Sequence, residues 1–129
     1  MAEEIQNLEL ESYFRDFIVI PLPLHPTKKR WRGFNQAEFI ANRFSQFFEQ
    51  KIQTRVLLRK IRTKTQAELN DEQRINNVKN AFFCIEAMTG EKIIIIDDVS
   101  TTRSTLKEAC IALKKAGAKE VWGVTFAQG

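Results

Sequence analysis

The apolar positions of this chain fall into two patterns that alternate along it. Short runs rich in β-branched and aromatic residues occur at 17–22 (FIVIPL), 56–58 (VLL), 81–85 (AFFCI), 93–96 (IIII) and 120–126 (EVWGVTF). Runs of this length and composition predict strands. Ile93, Ile94, Ile95 and Ile96 follow one another without a polar residue, which suits a central parallel strand covered on both faces. Between the runs, apolar residues recur at spacings of three and four. Phe34, Ala37, Ile40, Ala41, Phe44, Phe47 and Phe48 predict an amphipathic helix over 34–50 whose phenylalanine stripe is core. Leu106, Ala109, Cys110 and Leu113 predict another, opened by Thr105 and Glu108 at capping-box spacing and stopped by Gly117 after Lys114 and Lys115. Residues 68–80 read as an exposed helix, Thr89-Gly90 as a turn, and residues 2–16 as a short amphipathic helix or irregular lead-in. Strand and helix alternate, so the expected fold class is α/β, a three-layer domain with a mainly parallel sheet.

Composition agrees with one soluble domain over 1–129. A chain of 129 residues buries roughly two-thirds of its unfolded surface. Its 43% hydrophobic and 28% charged residues are ordinary for a globular protein, so disorder is not expected. The apolar runs are too short to span a bilayer, and the acidic N-terminal residues lack the layout of a signal peptide. The expected location is cytoplasmic, with no membrane span. Cys84 and Cys110 stand apart from any CxxC or Cys/His cluster and read as core residues.

Charge changes the picture more, because the net +4 is uneven. Glu3, Glu4, Glu9 and Glu11 crowd the N-terminus, whereas Lys28, Lys29, Arg30 and Arg32 follow the first strand and Lys51, Arg55, Arg59, Lys60, Arg62 and Lys64 lie in a stretch without an acid. Pro21, Pro23 and Pro26 preset the shape of the first basic loop. In a parallel sheet that loop shares the carboxyl rim at which open α/β proteins bind ligands. It reads equally as a solvated basic turn.

The isoleucine run ends at Asp97 and Asp98. Adjacent carboxylates at the end of a buried strand repel and lose hydration, so they belong at a rim where a cation or a polyhydroxyl ligand reaches them. Ser100, Thr101, Thr102, Arg103, Ser104 and Thr105 then lead into a helix N-terminus. Backbone N–H groups, helix dipole and hydroxyls there suit a phosphate, and the carboxylates suit a vicinal diol or Mg²⁺. The combination is a site for a sugar phosphate.

The stretch KIIIIDDVSTTRST resembles the phosphoribosyl pyrophosphate (PRPP) motif of type I phosphoribosyltransferases. The resemblance implies that fold, with Asp97 and Asp98 as the catalytic pair facing the ribose hydroxyls and holding Mg²⁺ with the substrate. It implies that Thr101, Thr102, Arg103, Ser104 and Thr105 wrap the 5′-phosphate. Arg103 stands where that family usually has Gly. Either the loop is distorted and catalysis weakened, or the guanidinium lies outward and pairs with a phosphate oxygen.

A second stretch narrows the resemblance. PLPLHP, basic residues and RGFNQAE, over 21–38, resemble the signature of the ComF competence family, a branch of the same fold. By that resemblance Leu24, His25, Lys29, Arg30 and Arg32 bind pyrophosphate. His25 invites an acid/base role, although its flanking prolines favour a structural one. Asn35 and Gln36 contact ligand or cap the helix. Thr63, Thr65, Gln66, Arg74 and Asn77 also match the ComF-like pattern, and Arg62, Thr65, Gln66 and Arg74 are assigned to a flap that excludes water. ComF relatives commonly carry an N-terminal four-cysteine zinc ribbon; this chain shows none, reads as a short form or a fragment, and zinc is not carried over. The expected function is PRPP or ribose 5-phosphate binding, with phosphoribosyl transfer from Mg-PRPP. The alternative is a DNA-uptake or single-stranded DNA-binding factor on a catalytically weakened fold, with the first basic loop and residues 51–64 as phosphate track and Trp31 and Phe34 as stacking surfaces. A degenerate site on a doubly wound domain is a third reading. Expected partners are PRPP or a related sugar phosphate, single-stranded DNA under the alternative, and a homodimer, which the sequence leaves open.

Overall fold

The computed structural model describes residues 12–23, 35–60, 81–97 and 103–125, with side chains from 105 onward in the last stretch. The elements are β1 (Ile18–Pro21), α1 (Gln36–Phe47), β2 (Leu57–Arg59), β3 (Phe82–Cys84), β4 (Lys92–Asp97), α2 (Arg103–Lys115) and β5 (Glu120–Thr125). Residues 12–14 add a single helical turn. The sequence-predicted helix at 68–80 and residues 1–11 of the lead-in lie outside the described residues.

β4 is the centre of a parallel sheet of order β1-β4-β5, with Ile18 opposite Ile93 and Ile93 opposite Val121. Its isoleucines serve both faces alternately, as side chains in a strand must. Ile93 and Ile95 join Ile18, Ile20 and Leu22 under α2, where Ala109 and Leu113 meet them. Ile94 and Ile96 join Phe17 and Val19 under α1, where Ala41 and Phe44 meet them. The result is a helix on each face of the sheet, the expected three-layer α/β arrangement. Burying each isoleucine contributes about 1.5–3 kcal/mol relative to leaving it exposed, so β4 is the most strongly held element.

One pairing goes beyond the expected mainly parallel sheet, and two expectations are corrected. β2 and β3 do not enter the parallel sheet: they pair antiparallel with each other, Leu57 opposite Cys84, and their buried side chains extend the core beneath α2. Three-residue strands bury one apolar face and cannot match the two-sided core that β4 demands. The second helix begins at Arg103, so Thr105 is its third residue and not its cap. The phenylalanine stripe of α1 is only partly core: Ala37, Ala41 and Phe44 are buried and Phe48 half-buried, but Phe47, in the last turn, is 60% exposed with its ring against Phe48. Cys84 and Cys110 are free and half-buried, packed at the margin of the core.

Both helix ends are closed by local chemistry. Asn35 caps α1 through its side-chain oxygen, which accepts from the Ala37 N–H at 2.9 Å. At the end of α2, Ala118 N donates to Leu113 O at 3.1 Å and Gly117 N to Lys114 O at 3.0 Å, the Schellman pairing. Gly117 has φ +105, and a Cβ there would lie 3.0 Å from the Thr89 Cα. Gly117→Ala is therefore expected to lower unfolding free energy by about 1–3 kcal/mol. Gly90→Ala shares a positive φ (+77) but meets no atom within 4 Å, so urea denaturation should show a smaller loss.

Candidate functional site

Chain direction locates the site before any side chain does. From β1 the chain runs through α1 and returns at Ile52, which bridges Val19 in parallel; Val19 N donates to Lys51 O at 2.8 Å and Gln53 N to Val19 O at 3.0 Å. From β4 it runs through α2 to β5, on the other side of the sheet. Successive strands thus move outward in opposite directions from the β1–β4 pair, with their helices on opposite faces, as right-handed crossovers require. The elements that follow β1 and β4 therefore lie on opposite sides of the β1–β4 pair, so the carboxyl ends of these two strands form the topological switch point at which doubly wound sheets take ligands.

Asp97 stands at that point. It is the last residue of β4, opposite Thr125 of β5, and only 3% exposed. Beside it, Leu22 N donates to Ile96 O at 2.8 Å, holding the exit of β1 against the exit of β4. Asn35 Nδ2 donates to Leu22 O at 3.1 Å while its Oδ1 caps α1. The side chain is buried. One amide therefore fixes both ends of the connection at the switch point. On the β4 side, the chain passes from Asp97 to Arg103, where α2 starts, and Thr105 is buried in the first turn of that helix.

Among the described site residues, Asp97 ends β4 and Thr105 is buried in the first turn of α2, while Asn35 ties Leu22 after β1 to the start of α1. Arg103 and Ser104 form the first helical residues. Among described residues only Glu49 is a non-glycine with positive φ, so Arg103 adopts a backbone conformation that arginine takes without strain. The conformational reason for Gly at that position does not apply; close approach of a ligand is the reason left. Asp98, Thr101, Thr102, Leu24, His25, Lys29, Arg30, Arg32, Arg62, Thr65, Gln66 and Arg74 lie outside the described residues, as do Trp31 and Phe34.

Among the described residues no cluster of three His, Cys, Asp or Glu side chains could hold a metal by itself. A hard carboxylate donor at Asp97 suits Mg²⁺, which keeps most of its ligands as water or substrate oxygens. No helix among the described residues is long and apolar enough to cross a membrane. The signal that sequence reading passed over is Ile52: one apolar residue between Lys51 and Gln53 is too short to announce a strand, yet it fixes where the strand order reverses.

Asn35→Ala should cost about 1–2 kcal/mol by loss of the cap, and more if Leu22 O is left without its donor. Asn35→Asp keeps the cap and loses only the donor, so denaturation of both variants separates the two roles.

No family model matches the chain. It is 33% identical over 114 residues to competence protein F of Haemophilus influenzae, covering 84% of this chain and 50% of that protein. It is 32% identical over 106 residues to DNA utilization protein YhgH of Escherichia coli K12, covering 81% and 47%, and 30% identical over 113 residues to competence protein ComFC of Streptococcus pneumoniae, covering 88% and 48%. The chain spans about half the length of the curated relatives it matches. Among solved structures, purine phosphoribosyltransferase from Pyrococcus horikoshii matches with a TM-score of 0.57 over 93% of this chain and 66% of that chain, at 18% identity, a likeness of fold. The chain belongs to the competence protein F (ComF) family and has a type I phosphoribosyltransferase-like α/β fold.

Proposed function

We propose that this chain binds PRPP, or a related ribose 5-phosphate ester, with Mg²⁺ in the crevice between the carboxyl ends of β1 and β4, and that phosphoribosyl transfer from Mg-PRPP is the reaction this site supports. The observation that carries the reading is Asp97: a carboxylate buried at the end of the central strand, at the switch point, one short connection before a helix N-terminus. A buried carboxylate there is stabilised by donors or a cation. In this reading Asp97 and Asp98 accept from the ribose hydroxyls and hold Mg²⁺ together with substrate oxygens. Thr101, Thr102, Ser104 and Thr105, with the first N–H groups of α2, take the 5′-phosphate. Leu24, His25, Lys29, Arg30 and Arg32 take the pyrophosphate. Departure of pyrophosphate leaves oxocarbenium character on the ribose, so fixed anions near the ring and cations near the leaving group supply the chemistry. A cytoplasmic location is part of the proposal.

A second reading rests on a different surface. Phe39 and Phe47 are 58% and 60% exposed on the outer side of α1, with the Arg43 guanidinium 5.4 Å from the Phe39 ring centroid. Exposed rings and cations are the components of a single-strand track, and YhgH relatives are named for DNA utilization. Calorimetric titrations separate the readings. PRPP binding should require Mg²⁺ and change modestly with salt, whereas an oligothymidylate held by several phosphates should weaken steeply as salt rises. Salt-sensitive oligonucleotide binding with no PRPP heat at any Mg²⁺ concentration would favour the second reading over the first.

A further inference from the structure

A groove of about 390 Å³ lies between β3 and the carboxyl-terminal half of α2. Its floor exists because Ala112 and Ala116, one helical turn apart, present no side chain beyond Cβ. Its other side is β3, which contributes the buried Phe82, the 40% exposed Phe83 and the half-buried Cys84. Lys60, just after β2, and Lys115, the last residue of α2, complete the lining, and both are exposed. Among the described residues no acidic side chain lines the groove. It is separate from the crevice at the strand ends, because α2 has 13 residues and so spans about 20 Å at 1.5 Å per residue.

Volume, lining and charge together select a ligand class. The volume lies within the range of small-molecule sites, which are mainly apolar with a few polar groups that fix orientation. A phenylalanine face opposite an alanine floor fits a planar ring. Two ammonium groups without a neighbouring carboxylate in the lining complement an anion. A metal would find no hard anionic donor among these side chains, and an extended polyanion would need cations in succession beyond the two in the described lining.

We infer that this groove is a second ligand site that takes a small aromatic anion, its ring between the β3 phenylalanines and the Ala112/Ala116 face and its anionic group between Lys60 and Lys115.

Cys84 lines the groove and Cys110 does not, and both thiols are free and half-buried, so the chain carries its own probe and control. The full chain is alkylated with iodoacetamide in the presence of 8-anilino-1-naphthalenesulfonate, an aromatic sulfonate, and each cysteine is followed by peptide mass spectrometry. At ten times its half-saturating concentration the sulfonate should slow Cys84 by about tenfold, leaving Cys110 unchanged. The double variant Lys60→Glu, Lys115→Glu should need about tenfold more sulfonate for the same protection, at an unchanged urea midpoint. Equal slowing at both cysteines, no slowing at Cys84, or undiminished protection in the double variant would overturn the inference. Loss of protection on adding Mg-PRPP would do the same, since the probe would then share the crevice.

Discussion

Truncating Ile95 to Ala is expected to lower unfolding free energy by about 2–5 kcal/mol, the range for deleting a fully buried aliphatic side chain from a packed core. Ile95 is 0% exposed, lies opposite Ile20 on one side and Gly123 on the other, and belongs to the core beneath α2. Gly123 has no side chain with which to fill the space, and the Leu106 methyl carbons lie where even an added Cβ would be at ordinary contact distance. The cavity would therefore persist, and domains of this size have only about 5–15 kcal/mol to lose. Urea denaturation should show a lower midpoint with an unchanged slope. Phe47→Ala, on the exposed edge of α1, should stay within about 0.5 kcal/mol of the native protein. A large loss at Phe47 together with a small one at Ile95 would mean that the two-sided core is misassigned.

Asp97→Asn is expected to weaken Mg-PRPP binding by about 100-fold or more, because a carboxylate accepting from a diol makes charge-assisted bonds that an amide makes weakly, and an amide is a poor Mg²⁺ ligand. The two side chains are nearly equal in shape, so the fold should survive and the loss should appear in binding alone. Arg103→Gly extends the test to the loop. With helical backbone at Arg103, glycine should cost about 1 kcal/mol of helix stability and should tighten PRPP if close approach is what the arginine side chain obstructs. Weaker binding in Arg103→Gly would instead assign the guanidinium to a phosphate oxygen.

The parts of this fold that were legible in the sequence are those where one physical demand dominates. Four isoleucines in a row could satisfy only a strand covered on both faces, and the structure assigns two to each helix layer. The Phe and Ala spacing of α1, the Gly117 stop and the acid at the strand end follow from similarly local rules. What the sequence did not disclose depends on partners distant along the chain. Leu57 and Phe82 have strand composition, but nothing in them specifies antiparallel pairing outside the main sheet. Phe47 keeps helical spacing with Phe44 yet lies in the last turn at the margin of the sheet. Thr105 and Glu108 match a capping box, yet the helix starts at Arg103, because Arg, Ser and Thr are all acceptable in a first turn. The switch point depends on Ile52 returning beside Val19, a contact across more than thirty positions that no local pattern encodes. Asn35 was recognisable as a cap, but its bond to Leu22 O, which joins residues thirteen positions apart, is a tertiary contact that no local pattern encodes.

Binding of ribose phosphate at the carboxyl ends of β1 and β4 is tested most directly by amide chemical-shift mapping. Titrating Mg-PRPP into uniformly ¹⁵N-labelled protein should perturb the amides of Leu22, Asn35, Asp97 and the residues from Arg103 to Thr105, and leave those of Phe83, Cys84 and Lys115 in place. Saturable shifts confined to that rim, absent when Mg²⁺ is chelated, are the predicted result. Perturbations confined to the outer face of α1 or to the groove between β3 and α2, or no perturbation at all, would contradict it.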